Sequence, residues 1–219
     1  MAAEIEVFRD MSLHGPSERR AKLREALIAA ASGDWDVDLE RSAEVKSSAV
    51  TDADVVLFRC AGNNEHPAAG LTLWETQEGY YVPNVVPLEF GSLTKREYNA
   101  ILQEFIDAIA QPVAYRLGFE LRATESRQTL ADWVSDEVGT KLKRFSGAAN
   151  KSTGASHPSD ERRWFDFIVA AHRRHERLDP GTLFRWLHEA EGWDEETAHK
   201  LAGDYENARA LLKYSDEDR

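Results

Sequence analysis

From Asn150 to Asp160 the chain reads Asn-Lys-Ser-Thr-Gly-Ala-Ser-His-Pro-Ser-Asp. Hydroxyls at Ser152 and Ser156, the imidazole of His157 and the carboxylate of Asp160 are the residue types of a nucleophile, a base and an orienter. A hydrolase or transferase built from the 150–160 loop is therefore one expectation. No Gly-x-Ser-x-Gly elbow surrounds either serine, so no catalytic residue is assigned. The same loop offers different chemistry, because Lys151, Ser152, Thr153, Ser156, His157 and the amides opening the next helix can converge on an oxyanion. Gly147 to Thr153 has the outline of a phosphate loop, yet Asn150 stands where a glycine must admit the phosphate, and a helix leads in where a strand is required. Capping of helix ends by these hydroxyls is the plainest structural role.

The loop lies inside a basic island. From Lys141 to Arg177 there are nine Lys and Arg against four Asp and Glu, an excess of +5 in a chain of net charge -12. On a helical wheel for 160–177, Arg162, Arg163, Arg173, Arg174 and Arg177 share one face with Asp166. The same wheel assigns Trp164, Phe165, Ile168 and Val169 to the opposite apolar side, with Phe167 at its margin and His172 and His175 toward the core. Like charges on one face repel, Arg173 and Arg177 especially, so an anionic neighbour is required. It can be internal, from Glu189, Glu191, Asp194, Glu195, Glu196, Asp204 and Glu206 of the next two helices, or it can be an acidic protein, a phosphate ligand or a nucleic acid.

Other reactive types carry less. His172 and His175 are spaced i, i+3 without a His-Glu-x-x-His pattern and amid arginines, so no metal site and no cofactor is expected. The single cysteine, Cys60, follows Val55-Val56-Leu57-Phe58-Arg59 and reads as a small strand residue. One cysteine also forbids an internal disulfide and suits a cytoplasmic location. Around Glu191-Gly192-Trp193 the last two helices have a helix-turn-helix outline, but Asp194-Glu195-Glu196 would open the recognition helix and repel phosphate.

The elements that position these groups are legible as patterns. Glu4 to Phe8 alternates, Ser17 to Ala31 is helical until Gly33, Trp35 to Leu39 alternates, and Val55 to Cys60 is a short apolar run. Leu71–Glu75 and Tyr80–Val82 flank Thr76-Gln77-Glu78-Gly79, a hairpin loop. Two prolines in Tyr80 to Phe90 predict an extended connection that cannot join a central sheet there, or, if exposed, a hydrophobic partner site. Thr94-Lys95-Arg96-Glu97 is a capping box opening a helix that Pro112 kinks or breaks and Gly118 closes. Further helices are expected from about Arg127 to Phe145, from Asp160 to Glu176, after the Asp179-Pro180 cap, and after the Asp194 cap.

The fold class is α+β: an N-terminal antiparallel sheet with one helix, then a larger all-helical C-terminal part. The chain is read as a single unit over 1–219, sheet-rich over 1–90 and helical over 91–219. With 42% hydrophobic and 10% aromatic residues among 219 it is globular. No apolar run is long enough to span a membrane, and no basic-then-apolar leader begins the chain. Net negative charge argues against wrapping nucleic acid with the whole surface. The functional expectation is a non-catalytic regulatory or interaction protein, of the antitoxin or immunity kind, using the arginine face on a protein partner. Nucleic-acid or phosphate binding through 141–177 is the alternative.

Overall fold

The computed structural model describes residues 3–49, 53–154 and 157–218. Its architecture is α+β, with antiparallel sheets formed by the earlier part of the chain and helices mostly in the later part. Two compact units partition it: Val7–Ser126, and Met1–Glu6 together with Arg127–Arg219.

The sheet unit contains strands β2 (Met11–His14), β3 (Trp35–Val37), β4 (Val55–Cys60), β5 (Ala69–Glu75), β6 (Gly79–Pro87) and β7 (Glu120–Ala123) in the order β3-β4-β5-β6-β2-β7, every neighbouring pair antiparallel. One sheet face carries Val56, Phe58, Cys60, Leu71 and Leu73. These are buried in one cluster with Leu23 and Leu27 of α1 (Arg20–Ala30) and Ile101, Leu102 and Phe105 of α3 (Lys95–Phe105). The Phe105 ring meets Phe58 at 5.0 Å and Trp35 at 5.2 Å. Each such buried side chain contributes about 1.5–3 kcal/mol, which makes this the core of the unit.

A helix absent from the sequence expectations, α2 (Leu39–Ser48), follows β3. Asp38 caps it by accepting from the Arg41 amide at 2.8 Å, and Ser42 accepts the Leu57 amide of β4 at 2.9 Å, so α2 satisfies strand-edge groups beyond the end of β3. The capping box at Thr94 and Glu97 is formed. Pro112 does not stop the helix. A widened turn, Ile106–Ala110, carries α3 into α4 (Gln111–Leu117), and its five-residue spacing directly before Pro112 accommodates the ring and the missing N–H within a continuous helix.

The 80–90 segment corrects the expectation drawn from its prolines. Residues 79–87 are a strand paired with β5 on one side and with β2 on the other. The register shifts between Thr72 and Trp74, leaving Val82 and Pro83 opposite Leu73, and β2 pairs only with Gly79–Tyr81. The bulge absorbs the missing donor of Pro83. The hairpin loop is as expected, closed by the Thr76 amide on the Gly79 carbonyl at 2.8 Å. Only glycine fits at its end: Gly79 has φ 153°, and a Cβ there would lie 1.9 Å from the Leu13 carbonyl oxygen.

The helical unit pairs β1 (Ile5–Glu6) with β8 (Arg127–Gln128) and then runs through α5 (Asp136–Ala148), α6 (Pro158–Arg173), α7 (Pro180–Arg185) and α8 (Glu195–Glu217). The helix expected from Arg127 starts later, because 127–128 pair as a strand and a Thr129–Asp132 capping box opens a short 3-10 turn first. Asp179 and Asp194 cap α7 and α8 as expected, accepting from Thr182 at 3.0 Å and Thr197 at 2.9 Å. An aromatic chain fills the interior. Phe145 stacks on Trp193 at 5.3 Å and meets Trp164 at 4.8 Å, and Phe167 stacks on Tyr205 at 5.5 Å.

Candidate functional site, a charged face on α5, α6 and α8

Helix directions follow from named contacts. Arg174, just after α6, pairs with Glu137 at the start of α5, so α5 and α6 are antiparallel. At the other side Thr197 of α8 donates to the Ser152 carbonyl at 3.3 Å before α6, while His172 near its end bonds Asp216 of α8 at 2.8 Å. Helices α6 and α8 are therefore parallel, and α6 lies between its neighbours.

Local sequence sets which side of α6 is open. Trp164, Phe167, Ile168 and Ala171 are buried, whereas Phe165 is 52% exposed and Val169 is half-buried. This corrects the apolar side drawn from the wheel: Phe167 belongs at its centre, and Phe165 and Val169 rise on the outer ridge. His172 is half-buried on the α8 side, and His175 is exposed, so neither is a core residue. His175 has φ 52°, and the Glu176 amide bonds the Ala171 carbonyl at 3.1 Å, which closes α6. Arg177 consequently leaves the helical wheel, and the expected Arg173–Arg177 neighbourhood on one face is not formed.

The remaining arginines divide. Arg163 pairs with Asp160 at 2.6 Å on its own helix, and Arg174 pairs with Glu137. Arg162, Arg173 and Arg177, with Lys141, Lys143 and Arg144, make no ion pair among the described residues. The acids between α7 and α8 do not supply the anticipated neutralisation: Glu189 pairs with Arg185, Glu191 accepts from Ser146, and Asp194 caps α8. Between α5 and α6 a groove of about 270 Å³ is lined by Lys141, Arg144, Ser159, Arg162, Arg163 and Asp166. Between α6 and α8 a second groove of about 680 Å³ has Trp164, Ile168 and Leu201 among its lining and a rim that includes Glu161, Glu196 and Asp204. Phe165 borders this groove and also the α5 side beside Lys141 and Arg173.

The polar loop is a built turn. Asn150 accepts from the Ser152 amide at 3.0 Å and its hydroxyl at 2.8 Å, and Gly154, at φ 67°, returns its amide to the Asn150 carbonyl at 2.9 Å. Lys151 donates to the Glu191 carbonyl. His157 caps α6 by accepting from the Ser159 amide at 3.2 Å, and Asp160 is held by Arg163. Ser152 and Thr153 line the α6–α8 groove, away from the basic groove that holds Arg162 and Arg163. Ser156 lies outside the described residues. Among the described residues these groups form no nucleophile–base–orienter chain, and no cluster of three His, Cys, Asp or Glu is placed to hold a metal ion. Cys60 is buried in the sheet unit, where burial pushes its thiol up from its ordinary value and away from nucleophilic use.

The sequence reading missed the cations of α5 as members of this face, and it missed Phe165. Lys141 and Arg144 are spaced i, i+3, a signal that was present, but only the antiparallel packing of α5 and α6 shows that they join the arginines. No helix among the described residues is long and apolar enough to cross a membrane.

The elements bearing the face are also the part of the chain similar to a known family. Residues 138–213, about a third of the chain, match the model of a family described as a domain of unknown function, DUF1889. The matched segment begins inside α5 and ends inside α8. No curated protein and no solved structure matches the chain.

Proposed function

We propose that the chain is a non-catalytic interaction protein that docks an acidic protein partner on the α5–α6 face. The observation that carries this reading is the set of cations without ion pairs, Lys141, Arg144, Arg162 and Arg173, around the exposed Phe165. An exposed aromatic ringed by charge is the composition of a protein-binding hot spot with a polar rim. Glu137 and Asp166 lie within the same face and favour a folded partner with charges of both signs over a phosphate backbone.

A phosphate ligand is the second reading, supported by the four cations of the smaller groove beside Ser159 in the first turn of α6. One experiment separates the two. Affinity capture from native lysate, with and without nuclease, is compared between the parent chain and Arg162→Glu/Arg173→Glu. A protein retained after nuclease and lost with the charge reversal supports docking. Loss on nuclease alone moves the assignment to nucleic acid, and identical captures by both chains, with no difference in inorganic phosphate binding between them, remove the face from either function.

A further inference from the structure

The two grooves beside α6 carry opposite charge. On the α5 side stand Lys141, Arg144 and Arg162 with one carboxylate, Asp166. On the α8 side stand Glu161, Glu196 and Asp204 with one cation, Lys200, over an apolar floor. At about 100° per residue the consecutive residues Glu161 and Arg162 straddle the ridge of Phe165 and Val169. Both are exposed, and neither makes an ion pair among the described residues.

A surface that is positive on one side of an apolar ridge and negative on the other is complementary to its own copy. Rotation by a half-turn about an axis parallel to the ridge exchanges the two sides while preserving the helix direction. A half-turn about the perpendicular in-plane axis would set basic groove on basic groove. We infer that the acidic partner of this face is a second copy of the chain, bound about a two-fold axis parallel to α6. The inference rests on the docking reading above. In this arrangement α6 runs parallel to its mate, Phe165 meets Phe165 on the axis, and Arg162 of each copy faces Glu161 of the other. Each copy carries a net charge of -12, but at physiological salt the Debye length is about 8 Å. Remote repulsion is screened while the pairs in contact persist.

Sedimentation equilibrium of the full chain at roughly 100 µM, where a micromolar dimer is saturated, is expected to give a dimer. Arg162→Glu and Glu161→Arg, each placing like charges across the axis, are expected to weaken it about tenfold or more. The double swap Glu161→Arg/Arg162→Glu restores the alternation and is expected to recover dimerisation to within about threefold. Phe165→Cys is expected to form an intermolecular disulfide under oxidation, since the axis sets the residue against itself and Cys60 is buried. A monomeric parent chain, or a dimer indifferent to both single reversals, overturns the assignment to a second copy. If that monomer still captures another acidic protein through Arg162, the docking face stands without self-association. If no Arg162-dependent partner is found, both are removed.

Discussion

Charged groups are handled differently in the two units. In the sheet unit Asp54, at the start of β4, draws in Arg24 at 2.6 Å, Lys46 at 3.2 Å and the Tyr80 hydroxyl at 3.5 Å. Glu75 then accepts from the Asp54 amide at 3.0 Å and pairs with Arg20 at 3.1 Å. Arg20, Arg24 and Lys46 there serve the fold. In the helical unit an interior chain reaches a single carboxylate through uncharged groups: the Trp193 indole donates to Ser146 at 2.8 Å, and Ser146 donates to Glu191 at 2.8 Å. Many of the cations of α5 and α6 stay outside, unpaired. Charge content alone therefore does not mark a binding surface; on α5 and α6 the unpaired cations are gathered beside an exposed aromatic, Phe165.

The contrast breaks most visibly at Asp54. Burial raises the pKa of its carboxyl, but the bonds and charges of Lys46 and Arg24 outweigh burial and hold it below the ordinary carboxylate value of 3.8. Asp54→Ala is expected to cost about 2–3 kcal/mol, because two charge-assisted contacts are lost and two cations are left together. The folded-state pKa is depressed, so this contribution is fully present above the unfolded value and is lost as pH falls through the folded one. Urea melts of parent and variant are therefore expected to differ by a constant amount at neutral pH and to converge below about pH 4. A difference that does not shrink at all between pH 4 and pH 2 would show that the aspartate acts through packing and not through charge. The Tyr80 hydroxyl, pushed up by burial and by the charges of Asp54 and Glu75, stays a donor throughout.

The helical unit has its counterpart in Ser146→Ala, expected to cost about 1–2 kcal/mol. The buried Trp193 N–H would lose its acceptor in a unit where the buried Trp164 and Trp186 indoles have none among the described residues. Hydrogen exchange of the α5 and α8 amides checks this, and unchanged protection would mean that water replaces the hydroxyl.

How far these differences could be read beforehand depends on whether they are local. Thr94, Asp179 and Asp194 were legible as caps because capping is settled within one turn. Helix α2 was not, since Leu39–Ser48 has a weak apolar stripe and is held by Asp38 and by the strand-edge bond of Ser42 to Leu57, a tertiary contact. Pro83 argued against a central strand, and only the paired register reveals the bulge that admits it. At the site the arginines of α6 were visible as composition. Their division into Arg163 and Arg174, paired, and Arg162 and Arg173, unpaired, depends on where Asp160 and Glu137 fall in space. Phe165 was assigned to the wrong side because neighbouring apolar residues at 164, 165, 167, 168 and 169 leave a wheel little power to choose its centre.

Arg173 and Arg174 are consecutive, exposed and chemically identical, yet only Arg174 has an ion-pair partner among the described residues, Glu137, itself about half exposed. Arg174→Ala is expected to cost about 0.2–1 kcal/mol, as exposed pairs do. Arg173→Ala is expected to stay within about 0.5 kcal/mol of the parent, and any gain would reflect relief of repulsion along the face. Paired urea melts of the two variants measure this difference. If Arg173→Ala is as costly as Asp54→Ala, the guanidinium has an internal anion in solution, the face is already neutralised, and the physical reason for a partner disappears. If Arg173→Ala is silent in the melt while Arg173→Glu weakens association, the cation acts in docking alone, which is the behaviour that separates the helical unit from the sheet unit.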